Sequence, residues 1–193
     1  MLAKKLSDLI KIYDDVVDEE ACKHAIKMFD NHADYHERID REEKPCFTQM
    51  NITSFTRDTE DYSAKDKDLH NHFVNVFTTY AQLYCTDNFI TDEHPAQYAL
   101  EELRIKKYNP GGDQFAEHVD VGNHNSARRY LAFFLYLNTV ESGGETKFPY
   151  LDLSIKPQAG RMIVFPPLWM YPHAGLPTVD EPKYIIGSYC HYL

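Results

Sequence analysis

The residues best suited to chemistry are two histidines, an aspartate and a lysine in the second half of the sequence. His118 and Asp120 lie two positions apart in AEHVDVG, a spacing that puts both side chains on one face of an extended segment. His173 follows in YPHAGLP and Lys183 in PKYIIGSYCHYL. Two neutral imidazoles and one carboxylate hold one face of an iron(II) ion and leave three positions open. We therefore predict a metal site, with Lys183 holding the distal carboxylate of an organic acid bound there.

A buried polar network and a closed zinc site are the alternatives for the two histidines and the aspartate. Structural zinc normally takes four protein ligands, often cysteine. The four cysteines are scattered and form no C-x-x-C pair, which disfavours zinc; they are Cys22, Cys46, Cys85 and Cys190. For Lys183 the alternative is a solvated surface lysine. Its position near the start of an apolar strand favours an inward-facing cation, which needs an anion.

The second half of the chain consists of short strands and turns. From Leu103 onward the segments LRIKKY, RYLAFFLYLN, TKFP, RMIVFPP and KYIIGSYCHYL predict strands. NPGGD, ESGGE and QAG predict the turns between them. RYLAFFLYLN is apolar on both faces, as a buried central strand would be. This pattern favours an antiparallel sandwich or barrel.

The first half predicts two helices and few strands. Ile10 and Ile12 alternate with polar residues and indicate a short strand, and Asp18 is a candidate N-cap for the helix EEACKHAIKMFDNH. CFTQMNITSF predicts a strand, and TRDTEDYSAKDKD predicts a loop. The second helix has one apolar face, formed by Leu69, Phe73, Val76, Phe77, Tyr80 and Tyr84. His94 falls in the following loop, TDEHPAQ, where we expect it to have no partner.

Length and charge limit the class of protein. A chain of 193 residues fits one domain with a substantial core. A formal charge of −10 disfavours nucleic acid as a partner and favours neutral or basic peptides. The start of the chain has no apolar run of signal-peptide length, and no stretch approaches a membrane span. We therefore expect free thiols, no membrane partner and a cytoplasmic location.

The stretch from Arg104 to the end of the chain resembles a known family. It has Tyr108 ahead of H-x-D, then RYLAFFLYLNTVESGGETKFP, IKPQAGRMIVFP, HAGLP and a lysine ten residues after the second histidine. These motifs, in this order, resemble the catalytic domain of the 2-oxoglutarate-dependent prolyl 4-hydroxylases. The resemblance implies a mainly β fold with flanking helices, a double-stranded β-helix (jelly roll) buttressed by the N-terminal helices. It implies one domain over residues 1–193, with a support region at 1–100 and a catalytic core at 101–193.

The resemblance also implies the cofactors and the residues that hold them. Fe(II) would be bound by the catalytic residues His118, Asp120 and His173, with 2-oxoglutarate and O2 as cosubstrates and ascorbate as a further cofactor. Lys183, the fourth catalytic residue, would pair with the C5 carboxylate of 2-oxoglutarate. Three hydroxyl-bearing residues would help to bind this cosubstrate, namely Tyr108, Tyr136 and Thr146. Core packing is the alternative for Tyr108 and Tyr136.

Substrate contacts are predicted at four positions. Phe115 and Tyr189 occupy aromatic positions of the family pattern, although the residue at 115 is often tyrosine in the family. Arg129 matches a family arginine linked to the peptide substrate, and a salt-bridged surface pair is its alternative. Trp169 would line the substrate mouth or fill the core.

The predicted activity is hydroxylation of a peptidyl proline at C4, with succinate and CO2 as co-products. The alternatives are the same chemistry on another peptide residue or a free amino acid, a cupin-like metal-binding module without oxygenase activity, and an oxygen-sensing regulator. Lys183 disfavours the bare metal module, which needs no carboxylate anchor, and regulators of that kind usually have arginine there. The expected partner is a proline-containing peptide or protein, and the expected state is a monomer or a weak homodimer.

Overall fold

The computed structural model describes residues 5–42 and 45–193, within which the chain forms three α-helices and twelve β-strands. The helices are Glu19–Asn31 (α1), Ile52–Asp58 (α2) and Ala64–Asn88 (α3). The strands are Lys11–Tyr13 (β1), Glu37–Asp40 (β2), Cys46–Asn51 (β3), Tyr98–Leu100 (β4), Arg104–Tyr108 (β5), Phe115–His118 (β6), Arg129–Tyr136 (β7), Thr146–Phe148 (β8), Leu153–Ile155 (β9), Met162–Phe165 (β10), His173–Gly175 (β11) and Lys183–Tyr192 (β12).

The strands form two antiparallel sheets. The large sheet runs in the order β1-β10-β7-β12-β5-β3-β2, and β4 pairs with the C-terminal part of β12. The small sheet runs in the order β6-β11-β8-β9. Two facing antiparallel sheets with long crossovers are the arrangement of a jelly roll. The predicted fold class, a double-stranded β-helix buttressed by helices, is confirmed.

Strand β7 lies inside the large sheet, between β10 and β12, and is buried on both faces. Phe133 and Leu135 belong to the core shared with the helices, whereas Phe134 and Tyr136 belong to the core between the two sheets. Side chains of a strand alternate between faces, so one continuous apolar run supplies both cores. The predicted buried central strand is therefore confirmed.

The helices cover the outer face of the large sheet. Asp18 caps α1 by accepting a hydrogen bond from the Ala21 amide, as predicted. Phe29 of α1 and Phe77 of α3 are fully buried in the core that the helices share with the sheet. Among the described helices, none is both long enough and apolar enough to cross a membrane.

Three predictions from the first half needed correction. The predicted strand over residues 46–55 ends at Asn51, which caps α2 instead. The predicted loop over residues 56–68 is helical at both ends, because Ser63 and Asp66 form a capping box that starts α3 earlier than its apolar face indicates. His94 does have a partner, since its Nε2 lies 3.0 Å from the Tyr130 hydroxyl.

The first hundred residues contribute directly to the large sheet. Strands β1 and β2 form its two edges, and β3 pairs with β5. All four cysteines are free and buried. The division into a support region and a catalytic core stays a prediction, and β3 and β5 pair across its boundary.

Candidate metal centre and adjoining cavities

Two short strands of the small sheet bring the candidate metal ligands together. His118 ends β6 and faces His173, the first residue of β11, across the strand pair. Asp120 follows β6 by two residues. Its Oδ1 lies 3.5 Å from His118 Nε2, and its Oδ2 lies 3.6 Å from His173 Nε2. The ligand atoms of all three residues lie within 4.8 Å of one another, although His118 and His173 are 55 positions apart in the chain.

Backbone carbonyls fix the orientation of both imidazole rings. His118 Nδ1 lies 2.8 Å from the Ala116 carbonyl oxygen, and His173 Nδ1 lies 3.1 Å from that of Tyr171. A ring nitrogen facing a carbonyl must carry the proton, so each Nε2 keeps its lone pair. Metal-binding histidines are commonly held in this way. The Phe115 ring also stacks on His118, with centroids 3.5 Å apart.

The three converging atoms lack hydrogen-bond partners. Among the described residues, His118 Nε2, Asp120 Oδ2 and His173 Nε2 are buried without one. Buried polar atoms are normally paired, and an exception requires an explanation. A divalent cation bound by two imidazole nitrogens and one carboxylate oxygen would satisfy all three atoms. This donor set suits iron(II) with open positions for other ligands.

The charge states at neutral pH also suit a cation. Burial opposes ionisation of Asp120, but the proximity of His118 and His173 and the hydrogen bond from Tyr189 outweigh burial and lower its pKa to about 2. Burial lowers the pKa of His173 to about 4. The carboxylate is therefore ionised and the His173 imidazole is neutral, which are the forms that bind metals.

A narrow inner cavity adjoins the metal centre and contains a buried lysine. Lys183 is 2% exposed, and its ammonium donates a 2.7 Å hydrogen bond to the Gly144 carbonyl. The ammonium lies 4.7 Å from the centre of the Tyr108 ring. A side chain at Gly175 would place its Cβ 3.7 Å from this nitrogen, so the glycine leaves space beside the cation. Burial lowers the pKa of Lys183 to about 7.

Most of the predicted cosubstrate residues line this inner cavity. Tyr108, Thr146 and Lys183 line it together with the three candidate metal ligands. Tyr136 is fully buried, and its hydroxyl donates a 2.6 Å hydrogen bond to Thr146 Oγ1. Tyr136 therefore contacts the cavity through Thr146.

A wider outer cavity of about 350 Å³ opens from the metal centre and contains three of the predicted substrate residues. Phe115, Arg129 and Tyr189 line it beside His118 and Asp120. The Tyr189 hydroxyl donates a 2.8 Å hydrogen bond to Asp120 Oδ1.

Arg129 and Trp169 differ in their surroundings. Arg129 forms two hydrogen bonds to Glu101, of 2.7 and 2.8 Å, and its guanidinium carbon lies 3.9 Å from the centre of the Tyr189 ring. Arg129 therefore forms the salt bridge that was its alternative, and it also lines the outer cavity, as the substrate prediction requires. Trp169 is 75% exposed, so it does not fill the core, and it does not belong to the described lining of either cavity.

Sequence reasoning missed Lys106, which lines both cavities. The signal was present in LRIKKY, because alternation along a strand puts Lys106 on the same face as Tyr108. Arg104 lies on that face too and lines the outer cavity. Basic side chains are thus concentrated around the two cavities, although the whole chain has a net charge of −10.

Comparison with known proteins supports the family resemblance. Residues 103–191 match the family model of the 2OG-Fe(II) oxygenase superfamily. An Acanthamoeba polyphaga mimivirus protein described as "Putative prolyl 4-hydroxylase" is 32% identical over 103 residues. That alignment covers 44% of this chain and 42% of the viral protein, so the matched part spans less than half the length of this relative.

Solved structures of prolyl hydroxylases have the same fold. A collagen prolyl hydroxylase of Paramecium bursaria Chlorella virus-1, in complex with 2OG, matches with a TM-score of 0.70 at 19% identity and covers 96% of this chain and 97% of its own. A Pseudomonas putida prolyl-4-hydroxylase matches with a TM-score of 0.70 at 16% identity, covering 96% and 93%.

A third structure is a Trichoplax adhaerens prolyl hydroxylase in complex with a peptide fragment of the hypoxia-inducible factor oxygen degradation domain. It matches with a TM-score of 0.73 at 12% identity, covering 96% of this chain and 84% of its own. At these identities the structures demonstrate the shared fold, and the family model adds the sequence pattern around the metal centre. Over residues 103–191 the chain is thus similar to the 2OG-Fe(II) oxygenase superfamily, and the proteins that resemble it in sequence and structure are named as prolyl hydroxylases.

Proposed function

We propose that the protein is a 2-oxoglutarate- and Fe(II)-dependent dioxygenase that hydroxylates peptidyl proline at C4. The observation that carries this proposal is the convergence of three unpartnered ligand atoms beside a cavity that also contains buried Lys183. A metal-binding module alone would explain the ligand atoms. It would not explain a cation buried at 2% exposure, which is costly unless an anion accompanies it.

The residues of the chain have separate roles in this proposal. His118, Asp120 and His173 hold the iron, and Lys183 pairs with the distal carboxylate of 2-oxoglutarate. Iron(II), when bound with 2-oxoglutarate and O2, supplies the oxidising chemistry that yields the hydroxylated product, succinate and CO2. Tyr108 and the other side chains of the inner cavity orient the cosubstrate and exclude water.

The outer cavity is the proposed binding place for a peptide. Arg129 is held by Glu101 and stacked on Tyr189, so both side chains are ordered before any substrate arrives. Phe115 adds a second aromatic surface, stacked on His118. Preordered aromatic and arginine side chains suit peptide recognition, since little conformational entropy is lost on binding. The names of the relatives, which are prolyl hydroxylases, favour proline as the target residue.

Succinate formation tests the proposal directly. The purified protein, supplied with Fe(II), 2-oxoglutarate and ascorbate under air, should form succinate faster when proline-containing peptides are added. Mass spectrometry and amino-acid analysis should then identify 4-hydroxyproline. The variants His118→Ala, Asp120→Ala and His173→Ala should each abolish turnover, because each removes one of three protein ligands.

Other outcomes would redirect the assignment. Oxidation confined to lysine, asparagine or a free amino acid would keep the cosubstrate chemistry and change the substrate. Metal binding without succinate formation under any condition would favour the metal-binding module. Ascorbate dependence, a cytoplasmic location and a monomeric or weakly dimeric state stay predictions.

A further inference from the structure

Lys106 is a second cation directed at the cavities beside the metal centre. It lies in the middle of β5, between Ile185 of β12 and Gln49 of β3. Tyr108 lies two positions after Lys106 on β5, and its cross-strand partner is Lys183. The backbone positions of the two lysines are therefore offset by about 7 Å along the sheet, on one face. Both side chains line the inner cavity.

The fold leaves space for the ammonium of Lys106 in the interior. A Cβ built on Gly187 would lie 3.7 Å from Lys106 Nζ and 3.8 Å from the Phe134 ring. These are ordinary contact distances, so the end of the Lys106 side chain lies against the backbone of β12 at Gly187. On its other side, the ammonium lies 5.1 Å from the centre of the Phe47 ring. Lys106 thus extends across β12 into the space between the two sheets.

Among the described residues, the cationic neighbours of Lys106 have carboxylate partners and Lys106 does not. Arg104 pairs with Glu102, and Lys107, the next residue on the outward face, pairs with Asp30 at 3.3 Å. No carboxylate oxygen of the described residues lies within 4.0 Å of Lys106 Nζ. Burial lowers the pKa of Lys106 to about 8, and the more distant Asp120 opposes this effect. A partly buried cation without a carboxylate is stabilised by an anionic ligand.

The two lysines lie near different parts of the site. Lys106 also lines the outer cavity beside His118 and Asp120, so it lies at the end of the site that holds the metal ligands. Lys183 lines the inner cavity and not the outer one, and its ammonium donates a hydrogen bond to the Gly144 carbonyl. The inner cavity has about 30 Å³ of free space and is lined by both lysines, so a five-carbon ligand bound there would lie closely against its lining.

We propose that Lys106 contacts the metal-end carboxylate of 2-oxoglutarate, so that Lys106 and Lys183 hold the two ends of the dicarboxylate. This inference rests on the proposed function and adds a binding residue to it. Contact with an acidic peptide is the competing role, because Lys106 also lines the outer cavity. The narrowness of the inner cavity and the proximity of Lys106 to the metal ligands favour the cosubstrate.

Calorimetry with two ligands separates the two ends of the cavity. The Fe(II)-loaded protein is titrated anaerobically at neutral pH with 2-oxoglutarate and with 2-oxopentanoate, which has a methyl group in place of the distal carboxylate. Lys106→Met should weaken binding of both ligands by about tenfold or more. Lys183→Met should weaken the binding of 2-oxoglutarate to the same extent and leave the binding of 2-oxopentanoate nearly unchanged. Lys107→Met, on the same strand but the opposite face, is the matched control and should change each dissociation constant by less than about twofold.

The outcomes distinguish this inference from the proposed function. An unchanged 2-oxoglutarate dissociation constant in folded Lys106→Met would overturn the inference and leave the proposed function intact. Loss confined to the turnover of acidic peptides would overturn it in favour of the peptide role. Wild-type protein that binds iron but not 2-oxoglutarate would overturn both. If Lys106→Met fails to fold by circular dichroism, Lys106→Gln removes the same charge with a polar side chain and is subject to the same criteria.

Discussion

The phenol of Tyr189 donates a 2.8 Å hydrogen bond to Oδ1 of Asp120, the carboxylate that lies between the two candidate histidine ligands. This bond occupies one carboxylate oxygen and leaves Oδ2 without a partner among the described residues. The guanidinium of Arg129 also stacks on the ring of Tyr189. One side chain thus connects the metal centre to the wall of the outer cavity.

Tyr189→Phe should weaken metal binding without removing a ligand. The substitution keeps the ring and deletes the donor that orients Asp120, and loss of such a supporting hydrogen bond typically costs about 10- to 100-fold in metal affinity. Anaerobic titration with Fe(II) measures the change. Tyr192→Phe, a half-exposed position on the same strand, is the control and should leave metal affinity unchanged. Equal affinities in Tyr189→Phe and wild type would exclude an orienting role for Tyr189.

The strands of the second half of the chain were predictable because their sequence signals are local. RYLAFFLYLN is apolar at every position except its ends, and only a strand buried on both faces accommodates that run. The helix starts were less predictable. Ser63 and Asp66 form the capping box that begins α3, but the residues around them are charged and show no helical repeat of apolar residues. The apolar face of the helix, which is the stronger sequence signal, begins only at Leu69.

The metal ligands were predictable from residue type and motif order, whereas the side-chain partners were not. His118 and His173 become neighbours only through the pairing of β6 with β11, which no local pattern specifies. Lys106 was overlooked because a lysine in an alternating strand is usually solvated. The end of its side chain lies against Gly187, which is on a different strand and is not identified by any local pattern.

Phe77→Ala tests the packing of the helical layer on the large sheet. Phe77 is fully buried, and its ring centroid lies 5.6 Å from that of Phe133 on β7. Removing a buried phenylalanine costs about 3–5 kcal/mol, because apolar contacts are lost and a cavity remains. Urea denaturation of the full chain should show this loss in the free energy of unfolding. Leu83→Ala, at a more exposed position of the same helix, should cost less than about 1 kcal/mol; similar losses for the two variants would contradict the packing described.

Lys183→Ala should weaken cosubstrate binding and leave Fe(II) binding unchanged. Truncating one member of a buried charge pair typically costs about 2–5 kcal/mol, or roughly 30- to 4,000-fold in affinity. The KM for 2-oxoglutarate should rise by a factor in that range, while the Fe(II) dissociation constant stays near the wild-type value. Lys183→Arg should restore binding only in part, because the guanidinium is larger and directs its donors differently. Lys156→Ala, an exposed position, is the control; a KM for Lys183→Ala equal to that of this control would remove Lys183 from the site.

Binding of 2-oxoglutarate should become weaker as pH rises above neutral, because Lys183 must be protonated to pair with a carboxylate. Burial lowers the pKa of Lys183 from 10.5 to about 7, so the free protein loses this proton well before an unfolded chain does. The unfolded chain therefore binds more protons between these two pKa values, and the stability contributed at Lys183 increases with pH across that range. A bound carboxylate opposes the effect of burial on the pKa of Lys183, since it favours the charged ammonium and raises this pKa.

Proton uptake during binding measures this linkage. Calorimetric titrations of the Fe(II)-loaded protein in buffers with different ionisation enthalpies give the number of protons taken up per 2-oxoglutarate. We expect a value near zero at about pH 6, where both lysines are already charged, and at about pH 8.5 an uptake that approaches one proton from Lys183 with a further contribution from Lys106. Lys183→Met should remove the contribution of Lys183, and the uptake that remains is assigned to Lys106, whose pKa is about 8. Uptake that is the same at both pH values in the wild-type protein would mean that the buried ammonium does not pair with the ligand.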